Sequence, residues 1–416
     1  MFEPRVVASR VREASRIVST LPSAIKNAVL LDLAGRLDSS AGALMAANGE
    51  DMEAARAEGL PEAKLRRLEL TAAGIGQMSE GLRQVAALPD PVGVVTRDDV
   101  VASGLRVQKV RCPLGVVMMI YEARPGVTVD AFALCLKAGN ACLLKGGREA
   151  ARSNAALAEL LRASLESHGA PADSVALVTT SDRERMRELL QLADLIDLVI
   201  PRGGRGLIDF VRTNSAIPTV QHDAGVCHAF VHASADLDVS ERVCVSAKTS
   251  SPATCNTLEC VLIDRDIAPA FVPRLLQAYA AAGVEVRGDD AVRAHAGGLS
   301  VTPASEADWG TEYLDLIVAV RVVDGLEGAC AHIHRYGSNH TDVILAQDEG
   351  TIEAFLARVQ SSCVLANASP RFNDGFQLGL GAEIGISTTR LHAYGAMGLE
   401  ELTTQRYVVR GSGQTR

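Results

Sequence analysis

Aromatic residues make up only 4% of this chain, with a single tryptophan, and no block of lysine or arginine occurs. A nucleic-acid binder needs a basic patch and usually stacking rings, so that class is not expected, least of all at a formal net charge of −9. No apolar run reaches the ~20 residues that span a bilayer. The N-terminus is charged from Glu3 onward and has no apolar signal core. The nine cysteines are odd in number and contain no Cys-x-x-Cys pair, so neither a disulfide framework nor a zinc motif follows. The expectation is a reduced, cytoplasmic protein with no nucleic-acid partner and no membrane segment.

What is present is core. Hydrophobic residues reach 48% and charged residues 22% over 416 positions, a composition ordinary for a soluble enzyme of two or three domains. From Pro4 to about Leu88 apolar residues recur at helical spacing, as in Val7-Val11-Ala14-Ile17 and Ile25-Val29-Leu33-Leu37. Pro89-Asp90-Pro91 breaks that pattern. Gly104–Arg111 mixes apolar and charged residues as a half-exposed strand does, and Cys112-Pro113 is expected to end it. Val116–Tyr121 is continuously apolar, the signature of a strand buried on both faces of a parallel sheet.

Periods then alternate. Helical Val127–Lys137, Ala150–His168 and Asp182–Leu192 precede strands Ala141–Leu144, Val175–Val178 and Ile196–Ile200. Such repetition predicts an α/β fold with a parallel sheet, whose ligands lie beyond the carboxyl ends of the strands. Two glycine loops fall at those ends: Lys145-Gly146-Gly147-Arg148 and Pro201-Arg202-Gly203-Gly204-Arg205-Gly206. Glycines let backbone N–H groups approach a phosphate, although neither loop fits a standard nucleotide motif and each is also readable as a turn.

A second α/β region begins near Cys227. Its strands are expected at 227–231, 258–263, 317–323, 343–345 and 363–367, with helices between them and an irregular charged linker over 286–305. A final strand, Gln405–Arg410, has no sequential partner and is open to pairing with another subunit.

The chemistry is best placed at Lys248–Leu262. A polar run ends in Cys255-Asn256, and an apolar strand follows at once. A thiol on such a loop can face a cleft while the strand behind it stays rigid. Cys135, Cys142, Cys227, Cys244, Cys260 and Cys363 have apolar surroundings and read as core. The competing reading of Cys255 is a small buried hydrophobe. No histidine lies near it in sequence, though folding could bring His222 or His392 to it. The pairs His332/His334 and His228/His232 lack a third ligand at metal-site spacing, so no metal is expected.

Several segments together resemble one known family. They are Pro113-Leu-Gly-Val, Tyr121-Glu-Ala-Arg-Pro125, Val127-Thr-Val-Asp, Lys137-Ala-Gly-Asn140, Pro201-Arg-Gly-Gly204 and Gly225-Val-Cys-His228. Ala247-Lys-Thr249, Thr254-Cys-Asn256, Gly379–Ser387 and Gly395–Glu400 belong with them. The chain resembles the γ-glutamyl phosphate reductases (glutamate-5-semialdehyde dehydrogenases) of proline biosynthesis, in the aldehyde dehydrogenase superfamily.

That resemblance implies three parts. A Rossmann-type NADP-binding domain would take 1–96 and 113–226 with part of 371–400. A catalytic domain would take 227–370, and an oligomerisation arm would pair 97–112 with 401–416. It implies NADPH-dependent reduction of L-glutamate 5-phosphate by a homo-oligomer, with a glutamate 5-kinase as a candidate partner. The site residues it implies are Cys255 and Asn256 for catalysis, and Lys145, Gly146, Arg148, Gly203, Gly204 and Glu312 for the cofactor. Oxidising relatives carry a glutamate base before the nucleophile, where this chain reads Gln221–Val226 without one. Gly126 stands where the family usually has an oxyanion-hole asparagine, so backbone N–H groups near Cys255 would serve, with the Asn256 amide or Lys248 in support. The competing functions are an oxidising aldehyde dehydrogenase and a non-catalytic nucleotide-binding protein.

Overall fold

The computed structural model describes residues 2–221 and 224–416. The chain divides into two compact units: residues 1–221, 380–385 and 397–416, and residues 222–379 and 386–396.

In the first unit the helical pattern forms Pro4–Val18, Ser23–Ser39, Ala41–Ala57, Glu62–Leu68 and Ala72–Ala87. Pro4 starts the first helix, where a missing N–H costs nothing. Thr71 caps the fifth by accepting from Gly74 N at 3.0 Å. The apolar stripes Ala8-Val11-Val18 and Val29-Leu33-Leu37 are buried, as their spacing requires. Lys26 is also buried. Its Nζ donates to Lys137 O at 2.9 Å and pairs with Asp90 at 2.5 Å, tying the second helix to the helix Gly126–Lys137.

Beside these helices lies a four-stranded parallel sheet ordered Val175–Leu177, Ala141–Lys145, Val116–Tyr121, Leu198–Arg202. Val116–Tyr121 is buried throughout, as its unbroken apolar run predicts. The strand expected from Ile196 begins at Leu198. The two glycine loops follow Lys145 and Arg202 at the carboxyl edge of this sheet.

A three-stranded antiparallel sheet completes the unit, ordered Val95–Val100, Arg106–Pro113, Thr403–Arg410. Two expectations change here. Val95–Val100 escaped the sequence reading because every residue is exposed and nothing alternates; backbone pairing and the Arg106 grip on Asp98, at 2.8 and 2.5 Å, hold it. The second strand runs through Cys112-Pro113 instead of stopping there, since Pro113 sits at its last position, opposite Thr403. The C-terminal strand has a partner in its own chain along its whole length.

The second unit is built on a seven-stranded parallel sheet. Its order is Thr302–Pro303, Glu285–Gly288, Ile317–Val323, Leu258–Asp264, Cys227–Val231, Thr341–Leu345, Cys363–Ala366. The segment expected to be an irregular linker supplies the edge strand Thr302–Pro303, the strand Glu285–Gly288 beside it and the helix Asp290–Ala294. Its charges hid it: Arg287 lies in the strand next to the edge, paired with Asp308 at 2.8 Å. Of the cysteines read as core, Cys363 is only half-buried, because it sits on the other edge strand; the other five are buried. Among the described residues no helix is long and apolar enough to cross a membrane.

Candidate active site

Cys255 lies on the loop between the helix Leu237–Thr249 and the buried strand Leu258–Asp264, and it is half-buried. Asp236 starts that helix by accepting from Asp238 N and Val239 N. A turn closes around the cysteine, with Thr257 N donating to Thr254 O at 3.0 Å. The residue after it, Asn256, is nearly sealed: its Nδ2 donates to Asn373 O at 3.0 Å and Arg371 O at 3.4 Å, and its Oδ1 lies 3.0 Å from Thr254 Oγ1. The Asn256 amide is therefore spent on fixing the loop.

Two further groups hold the cysteine's backbone. Cys227 Sγ lies 3.3 Å from Cys255 O and donates to it. A Cβ on Gly225 would fall 1.8 Å from Cys255 O and 2.7 Å from its Cα, so only glycine allows these two backbones to touch. Gly225 N in turn donates to Glu312 Oε1 at 2.9 Å. Glu312 is half-buried, and burial raises its pKa.

Lys248 does not support an oxyanion. It is wholly buried against an equally buried Glu259, Nζ to Oε2 2.6 Å, and Glu259 Oε1 accepts from Leu314 N at 3.2 Å. Burial pushes Glu259 up to about 7 and pulls Lys248 down. His222 lies outside the described residues. His340, which the sequence did not single out, has its Nδ1 3.8 Å from Cys227 Sγ and 2.7 Å from Thr341 Oγ1.

The histidine pairs proposed by spacing are not the ones folding brings together. His228, Cys260 and His332 meet in the core, with one potential ligand atom of each within 4.8 Å of the others. Cys260 Sγ is 3.7 Å from His332 Nε2, and His228 Nδ1 is 3.0 Å from Asp342 Oδ1. Arg321 donates to His332 Nδ1 at 3.0 Å, which places that ring's proton on Nε2 and leaves no lone pair there for a metal. Burial, then the neighbouring His228, Arg321 and Arg335, pull His332 down to about 2. We read this cluster as hydrogen-bonded core.

The proposed cofactor residues lie in the first unit, apart from Glu312. A cavity of about 900 Å³ is lined by Tyr121, Glu122, Lys145, Gly146, Arg148 and Gly204 among others. A Cβ on Gly146 would fall 2.0 Å from Asn154 Nδ2, and one on Gly203 2.9 Å from Glu122 Cδ, so both glycines are needed for close packing. Gly203 does this beside the cavity, and Gly204 caps the helix Arg205–Asn214. Lys145 Nζ donates to Gly146 O at 2.6 Å, and burial lowers its pKa. Arg148 is 73% exposed and pairs with Glu58 at 2.7 Å. Glu149 accepts from Ala123 N at 2.6 Å, which directs its charge into the loop. The size and the glycine-lined wall fit a dinucleotide. Sequence reading missed Lys64 and Phe210 in this wall; they come from helices whose pattern reports only packing.

A half-buried cysteine on a pinned turn leading into one parallel sheet, and a glycine-walled cavity at the carboxyl end of another, are the features of the candidate site. The profile of the Aldehyde dehydrogenase family matches residues 8–298, and the chain belongs to that family. Within it the chain stands with the gamma-glutamyl phosphate reductases. It is 52% identical over 410 residues to the one from Xanthomonas campestris pv. campestris (strain 8004), covering 99% of each chain. It is 51% identical over 414 residues to the one from Meiothermus ruber, covering 100% of this chain and 99% of that one. The crystal structure of gamma-glutamyl phosphate reductase from Thermotoga maritima matches with a TM-score of 0.97 at 41% identity, covering 100% of both chains.

Proposed function

We propose that this chain reduces L-glutamate 5-phosphate to L-glutamate 5-semialdehyde and phosphate with NADPH, in proline biosynthesis. The observation that carries this is Cys255, half-buried on a turn whose backbone is pinned on both sides, in a chain half-identical along its length to gamma-glutamyl phosphate reductases. The Cys255 thiolate attacks the acyl carbon and expels phosphate, giving a thioester. The nicotinamide supplies a hydride when bound, and the resulting thiohemiacetal on Cys255 collapses to the aldehyde. Gly225, Cys227 and Asn256 hold the sulfur's backbone still through both stages. Phosphate leaves without water, so the reaction has no use for the glutamate base that the stretch 221–226 lacks.

For the cofactor, Gly146, Gly204 and Lys145 are proposed to face the phosphates, and Glu312 the ribose hydroxyls. Arg148, released from Glu58, offers a guanidinium to a 2′-phosphate. A preference for NADPH over NADH is expected, and Arg148→Glu should erode it. Equal catalytic efficiencies in the wild type would refute that part.

The sheet of Val95–Val100, Arg106–Pro113 and Thr403–Arg410 has two free edges and exposes Val100, Tyr407 and Val409. We assign it to a homo-oligomer contact. Phosphoryl transfer to a free carboxylate by a kinase supplies an acyl phosphate, and a glutamate 5-kinase is the partner proposed. All nine cysteines are free, in keeping with a reducing cytoplasm.

The reaction run backwards tests the core of this. NADP reduction by the semialdehyde should require phosphate or arsenate. Oxidation that proceeds equally well without an oxyanion would make the chain an oxidising aldehyde dehydrogenase instead.

A further inference from the structure

We propose that the guanidinium of Arg371 binds the phosphoryl group of the substrate beside Cys255, an inference that rests on the acyl-phosphate reading above. Arg371 lies in the short turn Pro370–Phe372, which Ser369 starts by accepting from Arg371 N at 3.3 Å. That turn grips both chain neighbours of the nucleophile. Arg371 Nη1 donates to Thr254 Oγ1 at 2.6 Å, and the Arg371 and Asn373 carbonyls accept from Asn256 Nδ2. The wholly buried Asn373 fixes the turn to the sheet, its Nδ2 donating to Thr341 Oγ1 at 2.8 Å.

A guanidinium has five N–H donors, and Thr254 takes one of them. Arg371 is half-buried, and among the described residues no carboxylate pairs with it. Several other arginines of this unit are matched to acids, as in Arg287 with Asp308 and Arg358 with Glu327. Lys248, the cation at the start of the same loop, is already cancelled by Glu259. Among the described residues the turn at Cys255 thus carries a cation with no carboxylate partner and a planar fork of donors, the geometry that suits phosphate oxygens.

The chemistry needs a cation at that point. As the sulfur–carbon bond forms, the bond from carbon to the phosphate oxygen breaks, and its electron pair leaves on phosphate. A thiolate and a phosphoryl dianion repel as they approach, and charge gathers on the leaving oxygen. A guanidinium touching that group offsets both, and the proton the Cys255 thiol gives up to become a thiolate is balanced by the one the departing phosphate takes up to leave as hydrogen phosphate.

The test uses the full-length enzyme in the reverse direction, with semialdehyde, NADP and inorganic phosphate, comparing wild type, Arg371→Gln and Arg371→Lys. Arg371→Gln should raise the KM for phosphate at least about tenfold. The KM values for semialdehyde and NADP should stay within about twofold. Arg371→Lys, still a point charge, should raise the phosphate KM less.

Three results overturn the assignment. One is an unchanged phosphate KM in Arg371→Gln. Another is a rise in the semialdehyde KM alone, which would put the guanidinium on the α-carboxylate. The third is an equal fall in kcat for both variants with no change in the phosphate KM, which would make Arg371 a prop for the loop. A wild type that turns over without phosphate removes the acyl-phosphate reading itself, and this inference with it, before any variant is compared.

Discussion

The two parallel sheets end differently. In the first unit the carboxyl ends open onto Gly146 and Gly204 in a cavity of about 900 Å³, and Lys145 donates to the neighbouring Gly146 carbonyl. In the second unit the loop at Cys255 is locked by the side chains of Asn256, Thr254 and Cys227, and Lys248 is sealed against Glu259. A cofactor that binds and leaves is met by backbone and by space. A nucleophile that must attack along one line is met by the removal of freedom. Substitutions in the first region should therefore move cofactor affinity, and those in the second should move kcat or the fold itself.

The sharpest test of that division is Cys255→Ala. Turnover should fall at least about a thousandfold, because no other group supplies the covalent route. Cofactor affinity, measured by fluorescence titration, should not change. Retention of much of the wild-type rate would move the nucleophile, with Cys227 and Cys260 the first places to look. Next comes Lys248→Met, which leaves the Glu259 carboxylate buried without its cation. A cost of about 3–5 kcal/mol in urea unfolding is expected. A loss below about 1 kcal/mol would mean that this pair contributes no more than one on the surface.

Gly225→Ala probes the same region without touching a charge. Its Cβ would fall 1.8 Å from Cys255 O, so one backbone must move. A shift of that kind should cost about a hundredfold in kcat. The counterpart in the first unit is Gly146→Ala, whose Cβ would meet the Asn154 amide at 2.0 Å. A side chain can turn where a backbone cannot, so the KM for cofactor should rise about tenfold with kcat nearly constant. If Gly146→Ala lowers kcat more than Gly225→Ala does, the contrast between the regions fails.

The sequence made one side of this contrast far easier to read than the other. Val116–Tyr121 announces itself as a central strand because burial on both faces leaves an unbroken apolar run. The polar run broken by Cys255-Asn256 reads as a loop for the opposite reason. Val95–Val100 is held by backbone pairing and an ion pair, and these leave no hydrophobic period. Lys248 reads as an oxyanion donor and Glu259 goes unnoticed because burial of a pair shows only when both partners are seen together. Gly225 stands in a motif of the resemblance but its role there is not legible, since a glycine needed for close approach looks like any glycine until Cys255 is beside it. Arg371 likewise gives no signal, since its bond to Thr254 joins residues far apart in the chain.

The smallest expected effect concerns Gly126. It opens the helix Gly126–Lys137, and a Cβ there would meet Met78 Sδ at 3.5 Å, an ordinary contact. A side chain is therefore tolerated, and glycine is not required by space. The resemblance places an oxyanion-hole asparagine at this position, and loss of such a donor typically costs about 3 kcal/mol. Neither substitute first considered is at hand: Lys248 is held by Glu259, and the Asn256 amide by the carbonyls of Arg371 and Asn373. What remains is backbone N–H of the rigid turn at Cys255, a donor type that needs no side chain at 126. On that account the oxyanion is already served, and Gly126→Asn should change the rate less than tenfold, about 1.4 kcal/mol. A rise of a hundredfold in steady-state turnover would show that the natural enzyme lacks a donor and that the turn at Cys255 holds the sulfur without stabilising the charge it creates.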